Sequence, residues 1–393
     1  MATTKTYWNA LLALTCLLML AGCKSEPTKK TSKELYDECS SGVVLIYCEY
    51  YYSLTLPTGQ TMYMSGLGED GSPINLTSDI NVIKQNCNRQ FGTGFFIDSK
   101  GDIMTNRHVV DVYMDEFEAQ ERIVASLWRE RQTYLDSMEM AKWAYELLKA
   151  QIAECYGRDF LGNVYVTNQE MLQRISTAMA IVEERYKGWW NLCNYISANS
   201  NPRAIKIQPY SKIGIAYNDT YVDGIDDFLG ENACIVHKIS KRENADLAII
   251  QLKSKQTPEF AYVFDVSETT MREKEKKSIG EYLNQIFRGE VPMEKVEAEK
   301  LKMGQTLYVI GYNQGIELAQ TRNGIGAQIT KGDVAQIPDG ERVMYSIITL
   351  QGSSGSPVID EDGVLRGVNF AKAKDGHLGV AVHMNLIKNF LKE

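Results

Sequence analysis

The sequence predicts an all-β core, built from two groups of short strands and interrupted by two helical insertions. Three observations carry that expectation. β-Rich runs such as Val43-Val44-Leu45-Ile46-Tyr47 recur through residues 42–112 and 201–267, and short strands between glycine turns fill 301–393. Between residues 113 and 200 the apolar positions switch to helical spacing, and between 268 and 300 the chain is dense in charge. A period of two suits a half-buried strand and a longer period suits a helix, so the switch marks a change of architecture. With 44% hydrophobic residues and only 9 prolines in 393, the composition excludes a disordered or fibrous chain.

Residues 1–22 read as an export signal rather than as part of the fold. Lys5 supplies a positive start, and the run from Leu11 to Leu20 is apolar apart from Thr15. That run is too short to span a bilayer as a mature helix. It ends in Leu20-Ala21-Gly22-Cys23, which resembles the lipobox of bacterial lipoproteins. The resemblance implies cleavage before Cys23, lipidation of that cysteine and a place in the bacterial cell envelope. Lys24, not an aspartate, follows Cys23, which favours the outer membrane. Residues 23–41 are expected to form a tether, lysine-rich from 24 to 33.

Cleavage there removes Lys5 and no acidic residue, taking the net charge from −8 to −9. An acidic chain without a basic cluster is not a nucleic-acid binder. Cys39, Cys48, Cys87, Cys155, Cys193 and Cys234 remain after the signal, with no CxxC spacing to suggest zinc or redox chemistry. Export permits disulfides, and Cys48 with Cys87 is the expected pair; buried free thiols are the alternative. Cys155 and Cys193, at opposite ends of the helical insertion, are expected to stay apart.

Taken in order, a strand covers 42–52. Strands at 92–98 and 102–110 follow, joined by the turn Ser99-Lys100-Gly101. Phe117, Val124, Trp128, Leu135, Met138, Tyr145, Leu148 and Ile152 then mark one long helix, and Met171, Ile175, Met179, Val182 and Tyr186 a second. Gly157, Gly162 and Asn163 lie between them, so 113–200 is a helical hairpin whose first arm runs to roughly 60 Å and must project or bend. Strands return at 204–217 and 233–252, a helical insertion is expected at 268–300, and 384–392 forms a closing helix.

Three segments carry chemistry. In Gln351-Gly352-Ser353-Ser354-Gly355-Ser356-Pro357, flanking glycines permit a tight turn and close approach of a substrate carbonyl to the backbone. A serine hydroxyl is a weak nucleophile that needs a base and donors for the oxyanion it creates. The amides of Gly352 and Ser354 could converge as such donors. Thr105-Asn106-Arg107-His108-Val109-Val110 places a histidine at the end of a β-hairpin, and histidine is the side chain best suited to take a proton near neutrality. Glu243-Asn244-Ala245-Asp246-Leu247-Ala248-Ile249-Ile250 leads an aspartate into an apolar strand, where a half-buried carboxylate needs a partner such as a histidine N–H.

The order His, Asp, Ser within GTGFFID, TNRHVV, ADLAII and GSSGSPV resembles the trypsin-fold serine endopeptidases, in particular their HtrA-like bacterial branch. The likeness extends to Ile310-Gly311-Tyr312-Asn313-Gln314-Gly315, Ile329-Thr330-Lys331-Gly332 and Gly363-Val364-Leu365-Arg366-Gly367-Val368-Asn369. It implies two six-stranded β-barrels, an N-terminal one from 42–112 and 201–267 and a C-terminal one within 301–393. It implies His108 as general base, Asp246 as its orienter, Ser354 as nucleophile, and the Gly352 and Ser354 amides as oxyanion hole. No metal or organic cofactor is called for, and the partners are protein or peptide substrates. The specificity pocket falls on Ile348 at its floor and Asn369, Phe370, Ala371 and Val380 in its walls, a combination that favours a small or apolar side chain. Three features depart from the family: Arg107 beside the histidine, no segment for a PDZ domain, and the helical hairpin. The hairpin supports two alternatives, a protein-docking module on a protease scaffold and a latent protease regulated through it.

Overall fold

A computed structural model describes residues 29–242, 244–273, 293–297, 300–337, 340–372 and 378–393. The chain divides into two compact units, one of residues up to 47 with 91–111 and 213–393, the other of 48–90 with 112–212.

The first unit holds two closed antiparallel barrels. Strands β1 (Val43–Thr55), β2 (Asn88–Phe96), β3 (Asp102–Thr105), β4 (Lys206–Tyr217), β5 (Ala233–Ile239) and β6 (Ala248–Leu252) pair in the order β1-β2-β3-β6-β5-β4, and β4 returns to β1. The ends of β1, β2 and β4 belong to the second unit. Strand β2 meets β3 with Phe95 opposite Met104 and Phe96 opposite Ile103. The turn between them is set by Asp98, whose carboxylate accepts from Lys100 N at 2.8 Å, and by Gly101 at φ 78°. The second barrel comprises β7 (Thr306–Gly311), β8 (Gln328–Gln336), β9 (Arg342–Tyr345), β10 (Pro357–Asp360), β11 (Leu365–Lys372) and β12 (Gly379–His383), closed in the order β7-β8-β9-β12-β11-β10.

One continuous buried cluster joins the two barrels. Leu45, Tyr47, Phe95 and Met104 of the first share it with Tyr308, Ile310, Ile359 and Val368 of the second. The closing helix Met384–Lys392 adds Leu386, Ile387 and Phe390. Burying each such side chain contributes about 1.5–3 kcal/mol.

The tether expected at 23–41 is shorter than its lysine content suggests. Residues Ser32–Cys39 form a helix, started by a capping box in which Thr31 and Glu34 satisfy each other's backbone amides. Leu35 and Cys39, one turn apart, bury completely in the common core. The insertion expected to be helical at 268–300 begins and ends as strand: Thr269–Glu273 pairs antiparallel with Met293–Glu297, and residues 274–292 lie outside the described residues. The signal and Cys23 lie outside them as well.

The second unit carries the hairpin, with helices Glu116–Glu154 and Gln169–Asn199. Asp115 and Asn168 cap their first turns. At the base Ile123 and Val124 pack with Tyr52, Leu54, Met64 and Ile205. At the tip a short ribbon, Tyr156–Arg158 with Val164–Val166, replaces the expected loop.

All six cysteines of the described residues are free. Cys48 does not pair with Cys87, because the latter's thiol faces Glu49, whose side chain leaves β1 on the opposite side from that of Cys48. Burial pushes the Cys48 thiol up to about 12. Cys155 and Cys193 are apart as expected, the first against the Gln151 carbonyl and the second against that of Arg131.

Candidate active site

The first barrel presents a bonded His–Asp pair. Strand β3 ends at the buried Thr105, and the chain turns at once into the single helical turn Arg107–Val110. His108 is bound twice by Asp246: its backbone N donates to Oδ1 at 3.0 Å, and its Nδ1 meets Oδ2 at 2.6 Å. A carboxylate can only accept, so it draws the imidazole proton to Nδ1 and leaves Nε2 as the basic nitrogen. Asp246 sits between Ala245 and Leu247, both buried, just ahead of β6. Buried Asn106 steadies the same segment by donating to the Asp246 carbonyl at 2.7 Å. Arg107 is drawn aside, its Nε 2.6 Å from the Asp111 carboxylate.

The second barrel presents Ser354 on the turn before β10. Gly352 and Gly355 hold φ of +94° and +89°. A Cβ on Gly352 would lie 2.4 Å from Gly315 N, and one on Gly355 would lie 2.0 Å from Thr93 O. Both positions therefore require glycine, for conformation and for space. Among the described residues, the amides of Gly352 and Ser354 and the Ser354 hydroxyl have no hydrogen-bond partner.

Thr93 of β2 ties this turn to the first barrel. Its amide donates to Ser354 O at 2.8 Å and its hydroxyl to Gly352 O at 2.8 Å. That hydroxyl accepts from Tyr312 N at 3.0 Å, and the Thr93 carbonyl accepts from Thr105 Oγ1 at 2.7 Å. The serine turn thus rests against the strand end that leads to His108. Among the hydrogen bonds of the described residues, none joins His108 to Ser354.

The expected specificity residues differ in their burial. Ile348, expected at the floor, is 62% exposed. Asn369, expected in a wall, is 1% exposed and spends its side chain inside the barrel. Its Nδ2 donates to Ser353 O at 2.8 Å, and its Oδ1 accepts from Tyr345 OH at 2.7 Å. Phe370 packs against the common core and Val380 is buried. Ala371 is described only through its backbone, which pairs with Val380. Thr93, Thr105, Asn106 and Tyr345 are supporting residues to which motif reading gave no role, and Asn369 is one to which it gave a different role. Thr93, Thr105, Asn106 and Asn369 each bind backbone from another segment, and Tyr345 holds the Asn369 side chain, relations that spacing along the chain does not reveal.

Residues 226–368 match the family model of the trypsin-like peptidase domain, a span that includes Asp246 and Ser354. No curated protein matches the chain. Among solved structures, the serine endoprotease from Yersinia pestis aligns at 10% identity and a TM-score of 0.40, over 93% of this chain and 67% of its own. The Rv3671c protease from M. tuberculosis, in its active form, aligns at 14% identity and a TM-score of 0.36, over 91% and 82% respectively. The chain thus combines a fold of two closed six-stranded barrels with a match to the trypsin-like peptidase domain over residues 226–368.

Proposed function

We propose that the chain is an endopeptidase of envelope or extracellular proteins, working through Ser354, His108 and Asp246. The observation that carries this is the doubly bonded His108–Asp246 pair, with a glycine-flanked serine turn pinned to the same strands by Thr93. In the reaction, His108 Nε2 takes the Ser354 proton as Oγ attacks the scissile carbonyl carbon. The new oxyanion is received by the Gly352 and Ser354 amides. The imidazolium, stabilised by Asp246, then protonates the leaving amine, and water repeats the sequence on the acyl-enzyme. A fluorophosphonate probe should label the wild-type protein and spare Ser354→Ala; equal labelling of the two would end the assignment.

The lipobox supports lipid attachment at Cys23 and a bacterial envelope location, at the outer membrane. A second reading, in which the hairpin docks a protein partner or regulates a latent protease, draws on its exposed tryptophans. Trp128, Trp143 and Trp190 are 46%, 63% and 52% exposed, where burial is usual for rings of that size.

A further inference from the structure

We infer that Asn369, held by Tyr345, is a positioning residue that aims one of the two oxyanion-hole amides; this rests on the catalytic reading proposed for the Ser354 turn. A trans peptide is planar, and its N–H points opposite to its C=O. The direction of the Ser354 N–H is therefore set by whatever holds the carbonyl of Ser353, and that of the Gly352 N–H by whatever holds the carbonyl of Gln351. The Gln351 carbonyl accepts from the backbone amide of Gln314. The Ser353 carbonyl accepts from the Ser356 amide at 3.1 Å and, at the shorter distance of 2.8 Å, from a side chain, Asn369 Nδ2. One amide is thus aimed by main chain alone and the other by main chain together with a replaceable group.

The Asn369 carboxamide can face only one way. Ser353 O is an acceptor, so Nδ2 must meet it, and the opposite atom, Oδ1, receives the Tyr345 hydroxyl at 2.7 Å. Nδ2 also lies 3.2 Å from Ser353 Oγ, whose own proton goes to Leu350 O at 2.6 Å. Backbone bonds complete the clamp: Gly355 N donates to Asn369 O at 2.7 Å and Asn369 N to Ser356 O at 2.9 Å. Tyr345 is fully buried and Asn369 is 1% exposed, so water cannot replace either bond. Neither side chain is offered to substrate. Their loss should misdirect a donor, not remove a binding contact.

The test compares wild type, Asn369→Ala and Tyr345→Phe, the last keeping the ring that fills the barrel. In peptide hydrolysis, kcat should fall about 10- to 100-fold for Asn369→Ala and less for Tyr345→Phe, with KM little changed. A peptide aldehyde, whose hemiacetal oxygen needs the hole, should lose affinity by a similar factor. Should Asn369→Ala fail to fold, Tyr345→Phe decides the matter. Folded variants with wild-type kcat and aldehyde affinity would overturn the inference, as would a rise in KM alone. A wild-type protein that no serine probe labels would instead overturn the catalytic reading, and this inference with it.

Discussion

At the scale of residues, a His–Asp pair alone does not mark a site. His237 and Asp102 form one too, Nδ1 to Oδ1 at 2.8 Å. His108 differs in being held to its carboxylate through both ring and backbone, and in following directly from the strands that brace the serine turn. Thr93 links the two halves, and its hydroxyl serves both Gly352 O and Tyr312 N. Thr93→Val keeps the side-chain shape and removes those bonds, stranding a buried carbonyl and a buried amide. Stability should fall by about 1–3 kcal/mol in urea unfolding. kcat should drop about tenfold through the displaced turn. Unchanged values for both would show that the seam holds without it. Motif reading singled out His108, Asp246 and Ser354 as candidates, because a base, a half-buried acid and a glycine-flanked serine each leave a local trace. Thr93 and Asn369 leave none, since a threonine or asparagine in a strand looks alike whether it faces solvent or braces a turn.

At the scale of elements, periodicity was most informative where it ran longest. The hairpin arms, 39 and 31 residues, fall where the apolar spacing predicts them. Short elements escaped: the helix Ser32–Cys39 has two core-facing apolar positions amid lysines and acids, too few to stand out from a polar linker. The flanks of the second insertion are paired strands, because a charged composition does not distinguish an exposed ribbon from an exposed helix. The hairpin base belongs to a core through Ile123 and Val124, so removal of the whole insertion would strip that core as well as the exposed tryptophans. A trim of residues 132–192 spares it, and the cut ends lie together, with Cys193 Sγ 3.8 Å from Arg131 O. Peptide hydrolysis by this variant should stay within about twofold of wild type if the hairpin serves docking alone. Near-complete loss, or a large gain, would instead assign it to regulation of the turn.

At the scale of the whole molecule, Ser354 and His108, the proposed nucleophile and base, come from different barrels that share one buried cluster, so the proposed site depends on the packing of the entire first unit. Cys23→Ala should move the protein from the membrane fraction to the soluble one, measured by ultracentrifugation of lysed cells; retention in the pellet would refute lipid anchoring at that residue. The first described residues add a constraint of reach. Lys30 N donates to Glu361 O at 2.9 Å, and the Lys29 ammonium lies 2.7 Å from the Glu361 carboxylate, at the turn after β10. Only residues 24–28 then separate Cys23, the proposed lipid site, from a point fastened to the second barrel, a span of at most about 20 Å when fully stretched. With a lipid at Cys23, such a leash would confine hydrolysis to a thin layer beside the membrane, where a protein must come to the enzyme, since the enzyme could not range far to meet it.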